Sequence, residues 1–227
     1  VLHRRWRELA IASAAALAVV AVIVVPFLDA PLGDILRYHG ERPIQVESVW
    51  GGVLALIGTV APVTVRFTYG SLNISAAFDG PLRVLASIAP IAAWLGLIVQ
   101  AIRSRPPRLQ SNLVSVQTRP TSPSGAPIDE RGLVRFAAAA LVAYMVLGKV
   151  FSPQYMTWLL PLGALASLTA GRTERRLYLA AMLATQIIYP FLYLTALPWT
   201  GSPLFGAAVL VRDGILAVWA ARLVRAP

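Results

Sequence analysis

Two short polar clusters interrupt the long apolar runs of this 227-residue chain, and they hold the residue types that could do chemistry. Charged side chains are costly beside apolar segments of this length, so a dense group of them is a candidate reaction or binding site. The first polar cluster covers residues 38–48 and contains His39, Glu41, Arg42, Gln45 and Glu47. The second polar cluster covers residues 149–155 and contains Lys149, Gln154 and Tyr155.

The first polar cluster combines groups that suit proton exchange and phosphate binding. The unperturbed pKa of His39 lies near neutrality, so this side chain could exchange a proton. Arg42 offers a forked donor that matches phosphate oxygens. Pro43 is acceptable in a first helical turn, which predicts a helix that starts near Arg42 and offers free N–H groups to a phosphate. The alternative is an interfacial loop in which Arg42 pairs with Glu41 or Glu47.

The second polar cluster and a late charged pair have two interpretations each. Lys149 and Gln154 could project into a cavity on the same side as Arg42, or Lys149 could simply extend to the interface while Tyr155 joins an aromatic belt. Arg212 and Asp213 lie within an apolar stretch, where charge is expensive. Neighbours on a helix point about 100° apart, so we expect partners on other helices or a watery cavity. An interhelical ion pair is the alternative.

The composition indicates an integral membrane protein. Hydrophobic residues make up 57% of the chain and charged residues only 13%, which is about half the usual charged fraction of 25%. A soluble protein with buried helices is the alternative. The net charge of +10 fits basic residues gathered in cytoplasmic loops rather than a nucleic-acid partner. Without cysteine there is no disulfide or Cys-based metal site. No cofactor is predicted, and a divalent metal is left open.

Six apolar runs have about the length that a bilayer requires. A seventh, residues 49–65, is broken by Gly51, Gly52 and Pro62. Placing the Arg-rich flanks in the cytoplasm makes this seventh run re-entrant or interfacial, whereas a full crossing would put the Arg-rich loop outside. The fold predicted is therefore an all-α bundle with runs at Leu9–Leu28, Leu82–Ile102, Val134–Val150, Met156–Ala170, Leu177–Leu197 and Phe205–Ala221.

Three regions follow from these runs. Residues 1–102 form a membrane region with the outer polar loop, residues 103–133 form a Pro-rich flexible cytoplasmic loop, and residues 134–227 form a four-helix membrane region. The unusual polar residues then collect at the extracytoplasmic face, including a loop at residues 67–73 that would line the same cavity. The chain begins at Val1, so we expect an N-terminal part of a longer protein to precede it.

Three sequence features resemble the GT-C membrane glycosyltransferases, and among them glycosyltransferase family 87, whose members depend on polyprenol-phosphate mannose. The first is Tyr-His-x-x-Arg-Pro-x-Gln-x-Glu-Ser at residues 38–48, and the second is Lys-Val-x-Ser-Pro-Gln-Tyr at residues 149–155. The third is Arg212-Asp213, where the family commonly has Arg-Asn. The motif at 69–73, Tyr-Gly-Ser-x-Asn, is a further, weaker match.

The resemblance implies an inverting transfer of a hexose, such as mannose, from a polyprenyl-phosphate sugar to a glycan or glycolipid of the cell envelope. Family members use an aspartate in the first extracytoplasmic loop as base, and that loop is expected upstream of this chain. The site residues implied are His39 for hydroxyl positioning or proton transfer, Arg42, Lys149 and Arg212 for the donor phosphate, and Gln45, Glu47, Gln154, Tyr155 and Asp213 for sugar or acceptor hydroxyls.

Two other classes of protein remain open from the sequence. A transporter or channel would explain the charged pair within an apolar run and the re-entrant helix, although no inverted repeat is visible. A non-catalytic membrane scaffold is the third possibility. All three predict a multi-pass protein of the cell membrane, with the bilayer as a partner.

Overall fold

The computed structural model describes residues 2–25, 32–103 and 130–225. The predicted cytoplasmic loop therefore lies almost wholly outside the described residues. The chain divides into two compact units, residues 1–42 and residues 43–227. The first unit holds helices α1 (Leu2–Val24) and α2 (Leu32–Glu41). An exposed ion pair joins Arg37 to Glu41 on α2, with 3.0 Å between Nε and Oε1.

The second unit is mainly helical, as predicted, but it also contains a small sheet. Its elements in chain order are β1 (Ile44–Gln45), α3 (Val49–Ile57), β2 (Thr64–Thr68), β3 (Ser71–Ser75), α4 (Gly80–Arg103), α5 (Glu130–Leu147), α6 (Met156–Thr169), α7 (Arg172–Gln186) and α8 (Pro203–Arg225). A single 3₁₀ turn at Pro153–Tyr155 precedes α6. A segment with π-helical hydrogen bonds, Ile187–Leu192, follows α7 and is kinked at Tyr189, where φ is −130° and ψ is 122°.

Within the described residues, each of the six predicted apolar runs overlaps a helix, because a continuous apolar segment of this length satisfies its backbone groups internally as a helix. Within the described residues, two helical segments are long and apolar enough to cross a membrane, Gly80–Ala101 and Pro203–Arg225. The number of crossings thus stays a prediction.

The three-stranded sheet was not predicted. Its order is β1-β3-β2, and both pairs are antiparallel, with Ile44 opposite Ile74 and Thr68 opposite Ser71. Tyr69 and Gly70 form the connecting turn with φ of 53° and 71°, the two positive values that a type I′ hairpin turn needs. The predicted loop at residues 67–73 is therefore the end of a hairpin.

The helix predicted to start near Arg42 is also wrong. The chain leaves α2 at Glu41, enters β1 at Ile44, and begins α3 only at Val49. Ser48 is the N-cap of α3, and its Oγ accepts a hydrogen bond from the Gly51 N–H, which satisfies one of the free donors at this helix start. Gln45 consequently lies in a strand and Glu47 in a turn.

The core of the second unit has two parts. Buried side chains of α5, α6, α7 and α8 form the larger part, around Trp219 and Phe151. The smaller part packs β1, β3 and α3 against the first half of α8. There α3 and α8 approach closely at two glycines: a Cβ on Gly206 would lie 2.8 Å from the Gly52 carbonyl oxygen. This contact fixes α3, and the turn before it, on α8.

Candidate functional site

The turn from Gln45 to Ser48 is held tightly by its own backbone and by Ser48. The Ser48 hydroxyl donates to the Gln45 carbonyl oxygen at 2.8 Å, and the Ser48 N–H donates to the same oxygen at 3.1 Å. A Cβ on Gly51 would stand 2.2 Å from that oxygen, so the turn requires glycine there. These contacts fix the backbone between Gln45 and Ser48, and they thereby set the orientation of Glu47 within the turn.

The two polar clusters meet at this turn. The Gln45 N–H donates to the Lys149 carbonyl oxygen at 2.9 Å, which extends the sheet edge onto the segment after α5. Close by, the Trp50 indole N–H donates to the Leu147 carbonyl oxygen at 2.7 Å. The carbonyl oxygens of Leu147 and Lys149 therefore accept hydrogen bonds from Trp50 of α3 and from Gln45 of the first cluster. Carbonyls at the end of a helix have no partner within that helix and need such donors.

Arg212 joins the third motif to both clusters. Its side chain is fully buried, and its Nε donates to Asp213 Oδ1 at 2.8 Å. Its Nη2 donates to the Glu47 carbonyl oxygen, and its guanidinium carbon lies 3.9 Å from the centre of the Phe151 ring. Arg212 therefore has a partner on another element, as expected, and it also pairs with its neighbour Asp213, because the arginine side chain is long enough to fold back.

A cavity of about 590 Å³ opens beside the turn, a volume within the usual range for small-molecule sites. Polar groups from both clusters and from the hairpin line it, among them Gln45, Glu47, Ser71 and Gln154. The Gln45 amide donates to Glu47 Oε2 at 2.9 Å. The single amide oxygen of Gln45 and the second carboxylate oxygen of Glu47, Oε1 in both, are buried and have no hydrogen-bond partner among the described residues. Beside the cavity there are therefore two acceptors whose hydrogen-bonding capacity is unused.

The environment of Glu47 changes its acidity. The side chain is 2% exposed, and burial raises the pKa of its carboxyl from 4.5 to about 7. The Arg212 charge and the Gln45 hydrogen bond oppose this rise, while the nearby Asp213 carboxylate adds to it. A carboxyl with a pKa near neutrality can accept and return a proton under physiological conditions.

The structure brings together some of the predicted site residues and not others. Gln45, Glu47 and Gln154 line the cavity, and Gly70 and Ser71 of the predicted loop join them. Lys149 contributes its backbone carbonyl to the junction of the clusters. Tyr155 stacks on Trp158 with ring centres 4.6 Å apart.

Four other predicted residues are not among those that line the cavity. Arg212 and Asp213 are buried within the bundle and are not among the residues that line it. His39 and Arg42 belong to the first unit, where His39 is exposed near the end of α2. The Arg42 N–H donates to the Tyr38 carbonyl oxygen at 3.1 Å.

The sequence analysis missed the wall of the cavity that α7 and its π-helical continuation provide. That wall consists of Met182, Thr185, Gln186, Tyr189 and Tyr193. Met182, Thr185, Gln186 and Tyr189 follow one another at intervals of three, one and three residues, and Tyr193 follows after a kink at Tyr189. A polar stripe within the apolar run of residues 177–197 was the signal that could have revealed them.

The described residues contain no group of three or more His, Cys, Asp or Glu side chains placed to hold a metal ion. The cavity instead offers carboxylate, amide, hydroxyl and aromatic groups. No protein-family model, no curated protein and no solved structure matches the chain.

Proposed function

We propose that the protein is a multi-pass membrane glycosyltransferase. It transfers a hexose, such as mannose, from a polyprenyl-phosphate donor to a glycan or glycolipid acceptor at the extracytoplasmic face. The observation that carries the proposal is the cavity in which Gln45, Glu47 and Gln154 come together from two distant polar clusters. Amides and carboxylates with free acceptor atoms suit the hydroxyls of a sugar, and aromatic side chains such as Tyr189 and Tyr193 suit its apolar ring faces.

Exposed apolar side chains support the membrane placement. On α4 they include Val84, Leu85, Ile88, Ile91, Leu95 and Ile98. An apolar surface this long is unusual for a soluble monomer, where large exposed patches mark a membrane or a partner. A bilayer would cover it along the whole helix.

The arginines support the proposed orientation. The cavity lies at the start of α6 and the end of α7, whereas exposed arginines lie at the start of α7 and the end of α8: Arg172, Arg175, Arg176, Arg222 and Arg225. Basic residues near membrane spans favour the cytoplasmic side. This end of the bundle is then cytoplasmic, and the cavity opens on the opposite side.

The proposed reaction is a displacement with inversion at the anomeric carbon. The acceptor hydroxyl gives its proton to Glu47 Oε1 as its oxygen bonds to that carbon. The bond from the anomeric carbon to the phosphate oxygen breaks, and the polyprenyl phosphate leaves with the electron pair. Gln45, Gln154 and Tyr155 bind sugar or acceptor hydroxyls in this scheme. Arg212 and Asp213 hold the backbone of Glu47 in place rather than bind the donor.

The donor phosphate needs positive groups whose effect is greatest when charge develops on the leaving oxygen. We assign this role to Arg42 and Lys149, and hydroxyl positioning to His39, on the basis of the sequence resemblance. Replacing His39 or Arg42 by alanine is then expected to slow transfer without preventing insertion.

The test is transfer of labelled mannose from polyprenyl-phosphate mannose to endogenous acceptors in membranes that contain the protein. Loss of a general base costs about 10²–10⁴ in rate, so Glu47→Gln should lower kcat by at least about 100-fold. Gln154→Ala should mainly raise KM. The control is Glu174→Gln, because Glu174 pairs with Arg222 at the other end of the bundle. Unchanged transfer in both cavity variants would contradict the proposal.

A further inference from the structure

A second cavity lies between α4, α5 and α8 and has a different character from the first. Its volume is about 390 Å³, and its lining is alanine, glycine, valine and leucine with Gln100 as the one polar residue. It occupies the half of the bundle nearer the ends of α4 and α8, where Gly96, Gln100, Ala220 and Val224 contribute. We call it the apolar groove.

Contacts of α4 with its neighbours keep the apolar groove open. Trp94 anchors α4 to α5: its indole N–H donates to the Ala140 carbonyl oxygen at 2.7 Å, and its ring stacks on Tyr144. The Gln100 amide reaches α8 and donates to the Val224 carbonyl oxygen at 3.0 Å. Between these contacts, a Cβ on Gly96 would meet no atom within 4 Å. Gly96 therefore does not serve close helix packing, in contrast to Gly206.

The end of the bundle beside the apolar groove has an excess of positive charge. Arg222 is paired with Glu174, and Arg135 donates to the Thr169 carbonyl oxygen. At this end of the bundle, five exposed arginines have no carboxylate partner among the described residues: Arg131, Arg172, Arg175, Arg176 and Arg225. Arg225 follows the groove residue Val224 directly. Arg131 lies two helical turns before the groove residue Ala139 on α5.

We propose that the apolar groove binds one acyl chain of an anionic phospholipid, whose phosphate lies against the exposed arginines at the same end of the bundle. Without a bound acyl chain the apolar groove would be empty, and its lining side chains would lose van der Waals contacts. Clustered arginines at the cytoplasmic surface attract anionic headgroups. Charge complementarity thus selects the lipid, and the groove fixes its position.

The proposal rests on the proposed membrane placement and is independent of sugar transfer. The apolar groove extends from Leu147 at the end of α5 to Val224 near the end of α8, and it shares no lining residue with the polar cavity. Its lipid is therefore a structural ligand rather than the sugar donor. Failure of the transfer reaction would leave this lipid site unaffected, and loss of the lipid site would leave the assignment of Glu47 unaffected.

The test is native mass spectrometry of the protein released from nanodiscs that contain equal amounts of phosphatidylglycerol and phosphatidylcholine. We expect one retained lipid per chain, predominantly phosphatidylglycerol. Gly96→Leu should fill the groove and abolish retention of both lipids. The matched control is Gly214→Leu, which places the same side chain on α8 where a Cβ meets no atom within 4 Å and outside the groove lining. Melting temperatures identify any variant that fails to fold.

The headgroup contacts are tested separately with Arg131→Gln and Arg225→Gln combined. Each arginine near an anionic surface is worth about a factor of five in binding, so the preference for phosphatidylglycerol should fall about 25-fold while a lipid is still retained. Equal retention by Gly96→Leu and the wild type would overturn the proposal. So would a wild-type protein that is released without a bound lipid, or one that retains phosphatidylcholine as readily as phosphatidylglycerol.

Discussion

Replacing Arg212 by methionine should destabilise the protein more than any change at the cavity surface. Methionine preserves most of the length of the side chain but removes its charge. The substitution leaves the Asp213 carboxylate, which is 1% exposed, without its cation. It also leaves the Glu47 carbonyl oxygen without the donor that Arg212 supplies. Breaking a buried pair by removal of one partner costs about 3–5 kcal/mol, and we expect that loss here.

The double variant Arg212→Met/Asp213→Leu separates two costs in unfolding free energy. One is the cost of an unpaired buried carboxylate at Asp213, and the other is the cost of losing the Arg212–Asp213 interaction itself. Replacing both members of a buried pair by apolar residues is often close to neutral. The remaining cost is the unpartnered Glu47 carbonyl, about 1–3 kcal/mol. We therefore expect the double variant to be more stable than Arg212→Met by about 2 kcal/mol.

The assay is denaturant unfolding of the detergent-solubilised protein, followed by tryptophan fluorescence. Arg212→Lys provides a further check, because a lysine cannot donate in the forked geometry that reaches both Asp213 and Glu47. The reasoning would be refuted by a double variant no more stable than the single one, or by a cost below about 1 kcal/mol for Arg212→Met.

Three further outcomes follow from the packing and the charges. Gly206→Ala should cost about 1–3 kcal/mol of unfolding free energy because the new Cβ crowds Gly52. The control, Gly214→Ala in the same helix, should be neutral or stabilising by up to about 1 kcal/mol. Equal denaturation midpoints of the two variants would contradict this prediction. The folded state holds the Glu47 proton more tightly than the unfolded chain does, so between pH 4.5 and about 7 stability should fall as pH rises, by about 3 kcal/mol in total. Glu47→Gln should remove this fall of stability with rising pH. An unchanged slope of the unfolding free energy against pH would contradict the burial of the Glu47 carboxyl. Trp50→Phe should cost about 1 kcal/mol in the same unfolding assay through loss of its indole hydrogen bond to the Leu147 carbonyl oxygen.

The helices α1 and α4 to α8 were predictable from the sequence because continuous apolar runs code for them. Helix α2 was not predicted, since its sequence, LGDILRYHGE, contains no such run. The strands were not, since β1 has only two residues and β2 is largely exposed, so neither carries a strong alternating pattern. The Tyr69-Gly70 pair was the local signal for the hairpin. The seventh run was predicted to break at Gly51, Gly52 and Pro62, whereas α3 continues through both glycines and ends at Ile57. The return of the chain as a strand after it depends on pairing with β3.

The candidate site was predictable in its composition and less so in its geometry. Both polar clusters were recognised, and Gln45, Glu47 and Gln154 do share one cavity. The contact of Arg212 with the backbone of Glu47 joins residues 165 positions apart, and no spacing within a single sequence specifies such a contact. The position of an apolar groove depends likewise on how far α4 diverges from α8, which tertiary packing determines.

The most direct measurement is a cryo-EM structure of the protein in nanodiscs with polyprenyl-phosphate mannose bound. The account predicts the sugar ring in the cavity beside the Gln45–Ser48 turn, with a hydroxyl about 2.6–3.2 Å from Glu47 Oε1 and a second hydroxyl near the Gln154 amide. A donor sugar bound elsewhere, with this cavity empty, would contradict the central claim.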